Sequence, residues 1–236
     1  MSSTCDADGN GLAELQDGSE IEIPKNVAPD ELENFEIGYK TSINQSISLS
    51  ASIYHISWEG IPVSIGLLCT GSALLNAGES QSRGFEIESQ FVLSEQFSLD
   101  ISASYNESEL TEDATGLGAG AVDGAPLPGS ADLNITAGLE YAFVLEGFDA
   151  FVRFDYSYIG EYYGNFTETG QNSGDYSLLG LKVGADFGQL SSDLYINNLT
   201  NADDFTWNET FFGQFGFSRG YQLRPRTIGL NLRYQF

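Results

Sequence analysis

The sequence predicts an all-β fold, an antiparallel transmembrane β-barrel present in part. Three observations lead there: period-2 alternation of apolar and polar residues along most of the chain, connections that are alternately short and long, and an aromatic residue closing the last strand. In the final segment, RTIGLNLRYQF, Ile228, Leu230, Leu232, Tyr234 and Phe236 fall on one face, while Thr227, Gly229, Asn231, Arg233 and Gln235 fall on the other. No stretch reaches the roughly 20 apolar residues of a membrane helix. The 16 Phe and 12 Tyr set against six Pro and one Met favour strands.

The same alternation recurs in segments beginning near Asn34, Ile47, Arg83, Phe97, Ala131, Phe148, Asp175 and Leu190, which with the last one makes nine expected strands. In ADLNITAGLEYAF the odd positions Leu133, Ile135, Ala137, Leu139, Tyr141 and Phe143 are apolar, and the even ones carry Asp132, Asn134, Thr136 and Glu140. Helical spacing would mix those sets, so the strand reading wins. Connections at SINQ, LSEQ, VLEG and GQ take about four residues or fewer, whereas those near 59–82, 108–130, 164–174 and 199–224 take roughly a dozen or more. Short turns on one rim and long loops on the other distinguish a membrane barrel from a soluble sandwich. Tyr105, Tyr141, Phe143, Phe148, Tyr158, Tyr162, Phe187, Tyr234 and Phe236 stand where interfacial aromatic girdles would lie.

Nine Lys plus Arg against 34 Asp plus Glu give a net charge of −25, which excludes a nucleic-acid partner that needs a basic surface. The acid is concentrated at the start, where residues 1–36 hold ten carboxylates and only Lys25 opposes them. Residues 1–33 are therefore assigned as an acidic extracellular loop segment and 34–236 as the barrel strands. Cys5 and Cys69 are either one disulfide or two thiols. No signal peptide is recognisable after Met1.

DADGNGLAELQD, residues 6–17, fits the calcium-loop pattern, with Asp6, Asp8 and Asn10 as ligands and Gly11 at the sharp turn. Asp17 stands where a Glu usually closes the site, and its shorter arm makes bidentate coordination harder. The alternative is an acidic, solvated loop. The glycine string at 116–120 lacks the following helix of a phosphate-binding loop. His55 is the single histidine and falls with Ile47, Leu49 and Ile53 near the outer interface, so no acid–base or metal chemistry is expected and the chain is not read as an enzyme. Glu86 with Glu88 and Asp149 with Asp155 face one side of their strands as lumen carboxylates, with Arg153 and Lys182 as their counter-charges. The aromatic loop at 205–217 supplies the ligand-contact candidates Phe205, Trp207, Phe211 and Phe212.

Several motifs in order resemble the C-terminal half of the barrel of TonB-dependent receptors. They are APDELENFEIGYKTS, IYHISWEGIPVSI, NAGESQSRGFEIE, LYINNLTNADD and the closing RPRTIGLNLRYQF, and they cover about residues 28–236. Such barrels have about 22 strands, so nine would be the C-terminal ones. An odd number of strands does not close alone as single-chain bacterial barrels do. The plug, the segment that contacts TonB and the earlier strands have no counterpart in this sequence.

The resemblance implies the bacterial outer membrane, energised uptake of a scarce, bulky small molecule such as a siderophore, and contact with TonB through an N-terminal part. It also implies lipid and lipopolysaccharide around the wall, and recognition of Tyr234 and Phe236 by the barrel-assembly machinery. Two other readings are a passive porin-like or small binding barrel and a soluble calcium-binding β-sandwich. No cofactor is assigned; calcium at residues 6–17 is the one candidate.

Overall fold

The computed structural model describes residues 5–6, 9–15, 20–44, 46–69, 72–76, 78–114, 121–164, 166, 172–211 and 217–236. In chain order the strands are β1 (Ala13–Glu14), β2 (Glu20–Ile21), β3 (Glu31–Ile43), β4 (Ile47–Glu59), β5 (Pro62–Gly66), β6 (Ser72–Asn76), β7 (Glu79–Val92) and β8 (Phe97–Leu110). They continue as β9 (Leu133–Leu145), β10 (Phe148–Ile159), β11 (Tyr162–Tyr163), β12 (Asn172–Ser173), β13 (Tyr176–Asp186), β14 (Leu190–Asn197), β15 (Phe205–Phe211), β16 (Phe217–Gln222) and β17 (Thr227–Tyr234). Nine of them form one antiparallel sheet in the order β17-β14-β13-β10-β9-β8-β7-β4-β3. Each strand pairs with its sequence neighbours in the sheet, and β3 and β17 form the two free edges.

The nine expected segments are these nine strands. The ladder runs further outward than the alternation suggested: β3 starts at Glu31 and β7 at Glu79. The reason is physical. Beyond the apolar band the side chains on both faces are polar, so Glu79, Ser80, Gln81 and Ser82 stay paired with the neighbouring strands while the apolar signal stops.

The register divides the residues cleanly. Phe35, Ile37, Ile53, Phe85, Ile87, Tyr105, Leu139, Phe154, Val183, Leu194, Leu230 and Leu232 are all exposed, with Ile37 at 74% and Leu232 at 65%. Buried hydrophobic clusters, among the described residues, lie in the outer loops and not under the sheet. A soluble sandwich would bury those side chains in its core, whereas a barrel wall turns them to lipid. Aromatic pairs mark the short-turn rim: Phe97 with Tyr141 at 4.6 Å, Tyr141 with Phe143 at 5.3 Å, Phe148 with Phe187 at 5.1 Å and Tyr234 with Phe236 at 5.1 Å. Towards the other rim, Phe85 stacks on Tyr105 at 5.9 Å. Tyr162 differs from its expected girdle position. It sits in an outer hairpin, and its hydroxyl donates to the Thr206 carbonyl.

The turn between β9 and β10 is a two-residue loop in which Glu146 and Gly147 have φ of 51° and 90°. That backbone matches the twist of a tight hairpin. The long connections fold into hairpins of their own, β5–β6, β11–β12 and β15–β16. Residues ahead of β3 form the β1–β2 hairpin, and Leu15 bridges to Leu67 beside β5. Ala13, Leu15, Ile65, Leu67, Ala73 and Leu75 are buried together there, and Cys5 is disulfide-bonded to Cys69 across a separation of 64 residues.

On the lumen face Tyr54 lies across Gly84 of the next strand, where a Cβ would collide with the Tyr105 carbonyl and come within 2.6 Å of the Tyr54 hydroxyl. Gly84→Ala is expected to destabilise the chain by about 1–3 kcal/mol, the usual cost of overpacking. The measurement is a thermal melt in detergent, and an unchanged melting temperature would remove the close-approach role.

Candidate functional site in the lumen wall

The polar face of the sheet carries the side chains that could hydrogen-bond to a ligand. Even residues of β3, β4, β7, β8 and β9 face it, then odd residues of β10, even residues of β13 and odd residues of β14 and β17, a parity fixed by the pairings Glu140↔Arg153, Arg153↔Lys182, Lys182↔Tyr195 and Tyr195↔Gly229. Glu86, Glu88, Asp149, Asp155, Arg153 and Lys182 all stand on this face, as their strand parity predicts.

Arg153 is the hub of the middle of the wall. Its guanidinium donates to both oxygens of Asp100 at 3.1 Å and to Asp155 at 2.8 Å, with Glu140 at 4.0 Å. Asp100 and Arg153 are two strands apart, so the guanidinium passes over β9 at Gly138, where a Cβ would occupy its place. Phe151 over Gly184 and Tyr195 over Gly229 repeat the arrangement.

Above this cluster the Tyr54 hydroxyl donates to Asn106 Oδ1 at 2.9 Å, and Asn106 Nδ2 donates to Ser108 Oγ at 2.8 Å and Ser130 Oγ at 2.6 Å. Ser82 and Ser108 share a hydrogen bond of 2.6 Å. The network pins residues 121–131 inward over the mouth, helped by Leu127 N–H to the Ser108 carbonyl and the Glu109↔Pro126 bridge. Beneath the bend, Ile61, Leu110, Ala114 and Ala121 are buried, with Trp58, Ala125, Leu127 and Phe166 against them. The wall and this inward loop enclose a recess of about 720 Å³.

The outer hairpins meet one another. The Gly129 N–H donates to the Tyr163 carbonyl at 2.8 Å, and Trp207 stands beside Gly129. Burial, with a smaller contribution from nearby Tyr176, holds the Tyr162 hydroxyl above the ordinary tyrosine range. Phe205, Trp207 and Phe211 lie on β15, and the Phe205 ring covers Gly220 of β16. Phe212 lies outside the described residues.

In the acidic loop, Asp6 Oδ2 accepts the Gly11 N–H at 3.0 Å, Asn10 Oδ1 accepts the Leu12 N–H at 2.8 Å and Asn10 Nδ2 donates to Glu20 at 3.0 Å. Asp8 and Asp17 lie outside the described residues. Among those described, no three His, Cys, Asp or Glu residues are grouped to hold a metal ion. Tyr234 and Phe236 contact each other edge to face beside the short-turn rim, and the Tyr234 hydroxyl donates to Gln189 at 3.2 Å.

An inside-out antiparallel sheet with folded outer loops defines what this chain is comparable to. Its sequence matches the family described as "TonB dependent receptor-like, beta-barrel" over residues 9–199. The chain belongs to that family. Among solved structures, this chain resembles the ferric yersiniabactin uptake receptor FyuA from Yersinia pestis, with a TM-score of 0.74 and 19% identity over 88% of this chain and 30% of that one. The siderophore receptor PiuA from Acinetobacter baumannii gives 0.69 and 20% over 94% of this chain and 32% of its own. BauA, the ferric preacinetobactin receptor of Acinetobacter baumannii, gives 0.64 and 18% over 95% and 33%. This chain thus spans about a third of the length of these structures. No curated protein matches the sequence.

Sequence reasoning missed the Tyr54–Asn106–Ser130 network and the reach of Arg153 to Asp100. The one signal available was a glycine on each polar face, at 84 and at 138.

Arg153→Met strands three carboxylates without their cation. The groups are half-exposed, so a loss of about 1 kcal/mol is expected and not that of a buried pair. A double-mutant cycle with Asp100→Asn measures it, and strict additivity would show that the two side chains do not interact. Cys5→Ser releases a closure worth up to about 4 kcal/mol in the chain-entropy view. It should leave the barrel folded but make the segment ahead of β3 cleavable by added protease; equal resistance with and without the bond would assign that segment's order to packing alone.

Proposed function

We propose that this chain forms lumen wall and outer loops of an outer-membrane receptor that takes up a scarce, bulky small molecule such as a siderophore with energy delivered through TonB. The supporting observation is the orientation of the sheet: apolar residues outward, a hydrogen-bonding wall inward, and ordered loops over the mouth. FyuA, PiuA and BauA are named for ferric or siderophore ligands, which makes an iron chelate the first cargo to test. Capture falls to the loop aromatics Phe205, Trp207, Phe211 and Phe212 together with the recess behind residues 121–131.

In this reading Tyr234 and Phe236 present the end of β17 to the barrel-assembly machinery, and the outward aromatics meet lipid and lipopolysaccharide. Plug and TonB contacts belong to segments other than these nine strands. The acidic loop binds calcium through Asp6, Asp8, Asn10 and Asp17. A calcium titration of the chain checks this, with saturation at or below the millimolar range of extracellular sites as the expected result.

Energised import separates this reading from a passive pore. Uptake of labelled ferric chelate by source cells should stop when the proton-motive force is collapsed, and deletion of the gene should abolish it. Uptake that persists without energy, following concentration alone, would make the barrel a porin.

A further inference from the structure

The recess beneath the inward loop has a lining that discriminates by charge. Among the described residues it holds two carboxylates, Glu36 and Glu86, nine Ser and Asn side chains and no Lys or Arg. Of the nearest lumen cations, Arg153 is held by Asp100 and Asp155, and Lys40 shares an adjoining recess with Glu36, Glu86 and Glu88, one positive charge against three carboxylates. Tyr54 lies over Gly84, opposite Glu36 on one neighbouring strand and diagonal to Glu86 on the other. An aromatic side chain set among hydroxyls and amides suits an uncharged ligand with polar groups at its edge. Three carboxylates against the single Lys40 leave this stretch of wall net negative, which opposes an anionic one.

We propose that this recess selects iron chelates carrying no net negative charge and rejects polyanionic ones, which rests on the uptake reading above. The chemistry divides the candidates sharply. Three hydroxamates cancel the ferric charge, whereas three catecholates leave a trianion. The neutral complex packs against Tyr54 and offers its peripheral N–H and O–H donors to Glu36 and Glu86, with Ser52, Asn106 and Asn134 completing the polar contacts. A trianion roughly 10 Å from two carboxylates is disfavoured more than tenfold at low ionic strength, and a Debye length of about 3 Å at 1 M salt removes that difference.

The test measures binding of a ferric trihydroxamate and a ferric tricatecholate to outer-membrane vesicles from source cells that make the protein at its natural length, at low and at high salt. Preference for the neutral complex by at least about tenfold is expected at low salt, shrinking towards parity at 1 M. Glu36→Gln with Glu86→Gln should strengthen tricatecholate binding at low salt and leave trihydroxamate binding nearly unchanged. The wild-type salt series answers the question even where that variant does not assemble. Equal or tighter tricatecholate binding would overturn the charge selection and leave the receptor reading standing. Binding of neither chelate, or of a neutral oligosaccharide alone, would overturn both this proposal and the iron-chelate cargo.

Discussion

Every backbone N–H and C=O within lipid has to find a partner inside the protein, because hydrocarbon supplies none. The ladders between β3 and β17 meet that demand everywhere except along the outer sides of those two strands, and the rest of the molecule follows from them. Pairing sets register, register sets parity, and parity decides that Ile37, Phe85 and Leu230 meet lipid while Glu86, Asp100 and Arg153 meet the lumen. The sheet needs no hydrophobic core beneath it. Its apolar face is solvated by the membrane, and its polar face is held by hydrogen bonds and ion pairs that run across the strands.

Period-2 alternation made the nine strands and their two faces legible, because lipid on one side and water on the other leave opposite marks on successive residues. The outer ends were not legible for the same reason. At Glu31 and Glu79 water lies on both sides, so only the ladder itself continues. The site was legible as a set of side chains on one face and not as contacts. Asp100 and Arg153 are 53 residues apart and two strands apart, and nothing short of the register brings them together. Tyr54 and Asn106 meet on the same terms, over a glycine whose purpose becomes visible only when the neighbouring strand is placed.

The loops follow a different physics. Outside the membrane apolar side chains must hide from water, and among the described residues they gather into two small cores, one around Ala13, Leu15, Leu67 and Leu75 and another around Ile61, Leu110 and Ala121. Spacing alone left Cys5 and Cys69 as either thiols or a pair. Their bond depends on the β1–β2 hairpin lying against β5, which is a tertiary event. An acidic, glycine-rich opening segment thus acquires a fixed place beside the mouth, and Tyr162 likewise leaves its expected girdle for a hydrogen bond between loops.

The two free edges share a direction. β3 descends from the long-loop rim to the turn at Asn44, and β17 descends from the same rim to Phe236. Bent round to meet, they would lie parallel, and so would the seams of any ring built by setting copies head to tail. An antiparallel wall closes only when an ascending strand is laid against each edge, which means a complement with an odd strand count. The sheet therefore carries a parity rule for its own completion, independent of side chains: whatever closes this wall begins and ends by travelling outward.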